Sequence, residues 1–463
     1  MWSYNSPVRV LFGNDGFASI APLIDGRPYA LVTYADAPFR ALADQVTKEA
    51  GKPLIVVNDI APNPDCKLLS EQSARFASLP SEPEVIVALG GGSVIDSAKV
   101  FAAAAGDFSK VLHYLETGAG GSALSAIPII AVPTTAGTGS EVTSWATVWD
   151  EERGRKFSLV RETLYPEIAV IDPMLMLAKP YGLTLATGLD ALSHSIESIW
   201  NINANPVSAR HAVTAASAIL ADLPNLLRDL GNLELRNRIA EASLNAGLAF
   251  SNTKTAIVHN LSYPITLGWG VQHGIACSFT LPTILRSVIG VGGFRETALK
   301  QIFGDDLDWG ADDLTKFLAS LGVGHRFTDH GVPDADCKKI TDEAFAGERG
   351  KNFIGSKASF LKVAIQTGVL MPSSAQQIRR IEYQMRSSSP TKGDTNIWAK
   401  TSRIFAQYRR RQWQVKGSHR LRCARPLRLS LSIIPAEETA HRCLLSWPMV
   451  QKSFIWITAI RTP

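Results

Sequence analysis

At 463 residues, with 46% hydrophobic and 19% charged residues, the chain is long enough for two hydrophobic cores and has an ordinary globular balance. Its net charge of +5 averages two unlike parts: residues 373–463 carry 17 Lys and Arg against 4 Asp and Glu, and residues 1–372 carry 30 against 38. No run reaches the roughly 18 apolar residues of a membrane span, the start lacks the basic and apolar regions of a signal peptide, and the five cysteines are scattered without a Cys-x-x-Cys pair; a membrane protein and a disulfide framework are excluded, and a reducing cytoplasm is expected.

The first 175 or so residues alternate β-branched runs with helical patterns. Runs over 29–34, 54–58, 85–89, 127–132 and 168–172 predict strands, and helical segments lie between most of them. This is the pattern of a doubly wound parallel α/β layer that binds a dinucleotide. Beyond Pro173 the strand signal fades, and Ala- and Leu-rich segments over 207–227 and 235–250 predict amphipathic helices. The expected division is an α/β domain over 1–175, an all-α metal and substrate domain over 176–371, and an atypical basic tail over 372–463. A tail with a charge balance of +13 and scattered tryptophans is expected to be poorly ordered. Binding to nucleic acid or an anionic surface is its alternative reading, supported by charge alone.

Two loops in the first domain carry chemistry. After the third predicted strand comes Gly90-Gly91-Gly92-Ser93, then a helix start with Asp96 in its first turn. Glycines let the backbone approach a ligand closely, and the free N–H groups of a helix start favour an anion. Such a turn is also common as plain structure; its place after a buried strand favours pyrophosphate. The second loop, Pro133 to Thr143, holds five hydroxyl side chains and two glycines in eleven residues. It suits the lining of a nucleotide, or a solvated turn.

A metal site is suggested further on. Asp190 and His194 stand four residues apart in a predicted helix, so carboxylate and imidazole share one face. Alone, such a pair is most often a solvated helix face. His259 and His273 are predicted to lie on separate segments, because Pro264, Gly268 and Gly270 interrupt the stretch between them. Three imidazoles and one carboxylate suit a borderline ion such as Fe(II) or Zn(II).

Taken together, these segments resemble the iron-containing, group III alcohol dehydrogenase family over about residues 1–370. The resemblance implies that Asp190, His194, His259 and His273 are metal ligands, and that Gly91, Gly92, Ser93, Asp96, Thr134, Thr135 and Thr138 contact NAD or NADP. It places Lys156 near the nicotinamide and Asn63 on the adenosine side. It also implies hydride transfer with a small primary alcohol or aldehyde as partner, no nucleic-acid or membrane partner, and a homo-oligomer. A polyol dehydrogenase or cyclising synthase of the same superfamily, or a non-enzymatic scaffold with a nucleic-acid-binding tail, are the alternatives. Three positions depart from the family pattern. Tyr263 stands where many members have a second histidine, so its hydroxyl or solvent must handle the alcohol proton. Tyr34 stands where NAD-preferring members have Asp, so NAD and NADP are not distinguished. The tail does not resemble the family's last helices; an insertion, a fusion and a shifted reading frame each account for it. The segment from Ser251 to Pro264 is similar to the phosphonoacetaldehyde-reducing branch, where Lys254 meets the substrate's anionic group or is a surface lysine.

Overall fold

The computed structural model describes residues 1–371 and three short strands beyond them, Leu431–Ile433, Arg442–Leu445 and Ile457–Thr458. The three strands form an antiparallel sheet with Arg442–Leu445 in the middle. They belong to a separate unit, Ser374–Pro463, whereas Met1–Ser373 forms one compact unit. Both expectations for the basic tail, disorder and nucleic-acid binding, otherwise fall outside the described residues. Among the described residues no helix is long and apolar enough to cross a membrane.

Six parallel strands make the central sheet: β1 (Arg9–Phe12), β2 (Tyr29–Val32), β3 (Ile55–Val57), β4 (Val85–Gly90), β5 (Ile129–Pro133) and, after a hairpin, β8 (Ile168–Ile171). Their order is β1-β8-β5-β4-β2-β3. The inner strands are near-continuous apolar runs because both faces are covered, as parallel sheets require. Side chains alternate between two cores. Ile86 and Ala88 join one cluster with Phe101 and Phe76, while Val85, Val87 and Leu89 join another with Ile20 and Ile24. The register pairs Gly90 with Pro133, so the two loops singled out in the sequence start side by side where β4 and β5 end. In open α/β sheets this carboxyl edge is where ligands bind.

All five predicted strands are present. Unpredicted were β1, a half-exposed edge strand, and the antiparallel hairpin β6 (Trp145–Asp150) and β7 (Arg155–Val160), whose turn includes Gly154 at φ 60°. The last sheet strand ends at Ile171, and the helix Tyr181–Ile199 follows it.

Beyond the sheet, the described residues up to 371 are helical. Tyr181–Ile199 is buried along most of its length and packs on Pro206–Arg228 and Leu233–Thr253. Small residues permit the close approach: a side chain at Gly188 would meet Leu223 of the neighbouring helix at 2.7 Å. The hydroxyls of Ser193, Ser195 and Ser198, all buried, donate back to carbonyls four residues earlier at 2.7–2.8 Å, so these three hydroxyls are buried without being left unpaired.

One expectation is corrected. Pro264 does not end the helix carrying His259; it lies inside Ile257–Trp269, and the break comes at Gly270, φ 67°. His273 opens the next helix, His273–Ser278, so the two histidines are on separate helices, parted at Gly270, one of the three expected interruptions.

Candidate active site

Asp190 and His194 face the same way from the helix Tyr181–Ile199, and both are buried. His259 Nε2 lies 3.5 Å from Asp190 Oδ1, and His273 Nε2 lies 3.9 Å from the same oxygen. A side chain at Gly274 would collide with the carbonyl of Ala186, so glycine after His273 is what lets this helix start reach Asp190. His194 sits to one side. Its Nδ1 is 4.0 Å from Asp190 Oδ2 and 3.3 Å from the Gly137 carbonyl, and its ring stacks on Phe250 and on His259, with centroids 4.0 and 4.4 Å away.

Cys277, one turn after His273 and fully buried, completes a tight donor set. Asp190, His259, His273 and Cys277 can each offer a ligand atom with all four atoms within 4.8 Å of one another. His194 stands just outside that set. Sequence reasoning missed Cys277, although its spacing from His273 repeats that of Asp190 and His194.

Glu197 was missed as well. Fully buried, it accepts the His259 Nδ1 proton at 2.5 Å and the Val258 N–H at 2.6 Å. Its position seven residues after Asp190 and three after His194 keeps it on the ligand face, a periodic signal available in the sequence.

The fit to a divalent ion can be judged from the unpaired atoms. Asp190 Oδ1 and His259 Nε2 are both buried without a hydrogen-bond partner while facing one another. Orphaned buried polar atoms are costly, and a carboxylate with an imidazole is a donor pair that a cation satisfies. Burial lowers the pKa of His194 to about 4 and of His273 to about 3 against the opposing pull of Asp190, so both rings are neutral lone-pair donors at neutral pH. Burial would raise the Asp190 carboxyl, but the imidazoles of His194, His259 and His273 outweigh it and hold the pKa below the usual carboxylate range. The residues fit such an ion.

At the carboxyl edge of the sheet, Gly91 and Gly92 meet the second loop. A side chain at Gly91 would lie 3.3 Å from Thr135 Oγ1, and one at Gly92 would lie 2.7–2.8 Å from the side chain of Thr138. Tyr34 packs against the same turn beside Ser93, and burial raises its pKa while a hydrogen bond with Ser93 opposes the rise. Thr134 donates its N–H to the Gly90 carbonyl at 3.0 Å, and its buried hydroxyl is unpaired. Asp96 ties the loops together: it accepts from the Ser140 hydroxyl and, at 2.9 Å, from the Thr147 N–H. Lys99, not singled out as a site residue, is fully buried and donates to the carbonyls of Ser140 and Trp145 at 2.7 and 2.8 Å. Asn63 is exposed at φ 55°, in a turn joined to β6 where the Trp149 N–H donates to the Pro64 carbonyl at 2.8 Å.

The hairpin carries Lys156 to the metal side. Its Nζ lies 3.6 Å from the centroid of the Tyr263 ring, and that ring stacks on His273 at 5.7 Å and 8°. The Tyr263 hydroxyl accepts a hydrogen bond from Arg349, a residue with no signal in the sequence. Lys254 is not a helical turn before His259. It caps the preceding helix at φ 64°, with an exposed side chain, and its carbonyl accepts from Asn201 at 3.0 Å.

Comparison with known proteins follows this geometry. Residues 7–173 match the iron-containing alcohol dehydrogenase model, and residues 184–357 match the C-terminal model of the Fe-containing alcohol dehydrogenase family. The 1,3-propanediol dehydrogenase of Klebsiella pneumoniae is 30% identical over 365 residues, 74% of this chain and 92% of the relative. The phosphonoacetaldehyde reductase of Streptomyces viridochromogenes is 37% identical over 240 residues, 50% of this chain and 60% of the relative. The crystal structure of sulfoacetaldehyde reductase from Bifidobacterium kashiwanohense in complex with NAD+ superposes with a TM-score of 0.73 at 27% identity, over 81% of this chain and 100% of that one. With both halves matched and the loops and donor cluster in place, the chain belongs to the iron-containing alcohol dehydrogenase family, the NAD-dependent, metal-containing oxidoreductases of alcohols and aldehydes.

Proposed function

We propose that the chain transfers hydride between NAD or NADP and a small primary alcohol or aldehyde, phosphonoacetaldehyde among them. The observation that carries this reading is the pair of orphaned buried atoms, Asp190 Oδ1 and His259 Nε2, lying 3.5 Å apart. Asp190, His259 and His273 would hold Fe(II) or Zn(II), with His194 beside them as the fourth ligand; the Cys277 thiol adds a softer donor that suits Zn(II). When bound, the ion supplies Lewis-acid polarisation of the substrate oxygen.

The chain's own residues do the rest. Glu197 fixes the tautomer of His259. Gly91, Gly92 and Ser93, at the start of the helix Gly92–Ala104, receive the cofactor pyrophosphate, with Asp96, Thr134, Thr135 and Thr138 around it and Asn63 towards the adenosine. Lys156 closes the nicotinamide side. The alcohol proton is left to solvent, because the Tyr263 hydroxyl is engaged by Arg349 and the ring, not the hydroxyl, lies against His273.

The test is oxidation of NADH and NADPH with a panel of aldehydes, phosphonoacetaldehyde included, after loading with Fe(II) or Zn(II) and after chelation. Metal-dependent oxidation with at least one aldehyde is expected. A metal-loaded protein that binds nicotinamide and reduces none of them would end this reading.

A further inference from the structure

Tyr263 is flanked by two cations that form no ion pair with a carboxylate among the described residues. Lys156 Nζ stands 3.6 Å from the ring centroid, and the guanidinium carbon of Arg349 stands 4.7 Å from it. Arg349 donates to the Tyr263 hydroxyl and, through Nη2, to Ser158 Oγ at 2.9 Å. Neither cation forms an ion pair with a carboxylate among the described residues, and both lie beside the ring that backs His273. Both are half-buried.

Two like charges beside one aromatic ring repel, and an anion that joins them relieves the repulsion. Burial first, and after it the neighbouring Arg349, push the pKa of Lys156 well below its usual value. No carboxylate among the described residues forms an ion pair with either cation, which leaves the place open to an anionic ligand.

Its position says which part of the ligand. His273 adjoins the cluster: its ring stacks on Tyr263 with centroids 5.7 Å apart. A molecule with its carbonyl oxygen at the Asp190 and His273 side and its anion at Lys156 and Arg349 spans little more than one aromatic ring, a chain of two or three carbons. The cofactor pyrophosphate is a poorer candidate, because the side chains around the Gly90–Gly92 turn are Tyr34, Val94, Thr135 and Thr138, none of them from this cluster. Arginine offers paired donors that match a tetrahedral oxyanion, and the lysine adds a point charge.

We propose that Lys156 and Arg349, held over the ring of Tyr263, form an anion-binding subsite that selects short aldehydes ending in a tetrahedral oxyanion, phosphonate or sulfonate. This rests on the aldehyde-reducing function proposed above.

The test compares phosphonoacetaldehyde and sulfoacetaldehyde with propanal in the full-length, metal-loaded enzyme, and titrates methylphosphonate calorimetrically as a probe that needs no turnover. The wild type should favour one of the anionic aldehydes in kcat/KM. Arg349→Gln should lower the ratio of anionic to neutral kcat/KM about 10–100-fold, the range for losing a charge-assisted contact, with Arg349→Lys between the two. Methylphosphonate should bind the wild type, compete with aldehyde and not with NADH, and lose affinity in Arg349→Gln. A wild-type preference for propanal, or competition of methylphosphonate with NADH alone, overturns the subsite and leaves the dehydrogenase function intact. Inactivity on every aldehyde with methylphosphonate still bound through Arg349 does the reverse. If Arg349→Gln does not fold, the wild-type substrate preference and the methylphosphonate competition still decide.

Discussion

Glu197 accepts the Nδ1 proton of His259 at 2.5 Å, and this bond decides which nitrogen His259 shows to Asp190. A carboxylate can only accept, so a proton sits on Nδ1, and Nε2 is the nitrogen that would meet an ion at the ligand cluster. Outer partners of metal-ligating histidines commonly set ligand orientation and basicity. Glu197→Gln keeps the shape and one acceptor for the Val258 N–H, so the fold should survive. Metal affinity should fall about 10–100-fold. Metal content after dialysis against graded chelator measures this, and retention equal to wild type would reduce Glu197 to a packing residue.

The parts of this arrangement that are local in sequence were legible there. β4, its glycine turn and the following helix are contiguous, so period, turn chemistry and helix start announce one another. The Asp190 and His194 pair is one helical turn, and Glu197 continues the same face. Contacts made across long sequence distances left no such trace. Arg349 reaches Tyr263 from 86 residues away and Ser158 from 191, and no spacing rule connects them. The β6–β7 hairpin escaped because half of the β7 residues are exposed, which dilutes its apolar signal. Pro264 misled for a physical reason: a proline is a probable helix boundary, but packing against the core holds this helix through it to Trp269.

Cofactor binding should fail when the gap between the two loops is filled. A side chain on Gly92 would meet Thr138 Oγ1 at 2.8 Å and Cγ2 at 2.7 Å, so Thr138 must give way. Overpacking of this kind costs about 1–3 kcal/mol. If the cost falls on the bound form, Gly92→Val should weaken NADH binding roughly ten- to hundredfold while leaving metal content unchanged. Gly92→Ala should show a smaller effect of the same sign. Fluorescence titration giving wild-type affinity in both variants would show that the turn does not hold the cofactor.

Lys99 presents the remaining test, because it separates building the site from taking part in it. Its ammonium is fully buried and donates to the carbonyls of Ser140 and Trp145 and to the hydroxyls of Ser140 and Thr143 at 2.7–3.2 Å. Burial lowers its pKa to about 8, and the nearby Asp96 and Glu141 pull the other way. It is still mostly charged at pH 7, held by acceptors from the cofactor loop and the start of β6. Lys99→Met keeps the length and the apolar stem but strands two carbonyls. Removing charged hydrogen bonds from a buried site costs on the order of 2–4 kcal/mol. The variant should therefore unfold at a clearly lower temperature, and its NADH affinity should fall because the Ser140–Trp145 segment is no longer held against the helix Gly92–Ala104. Metal binding, which rests on other helices, should persist in the protein that remains folded. A Lys99→Met enzyme with unchanged unfolding temperature and unchanged NADH affinity would mean that these four contacts do not shape the loop.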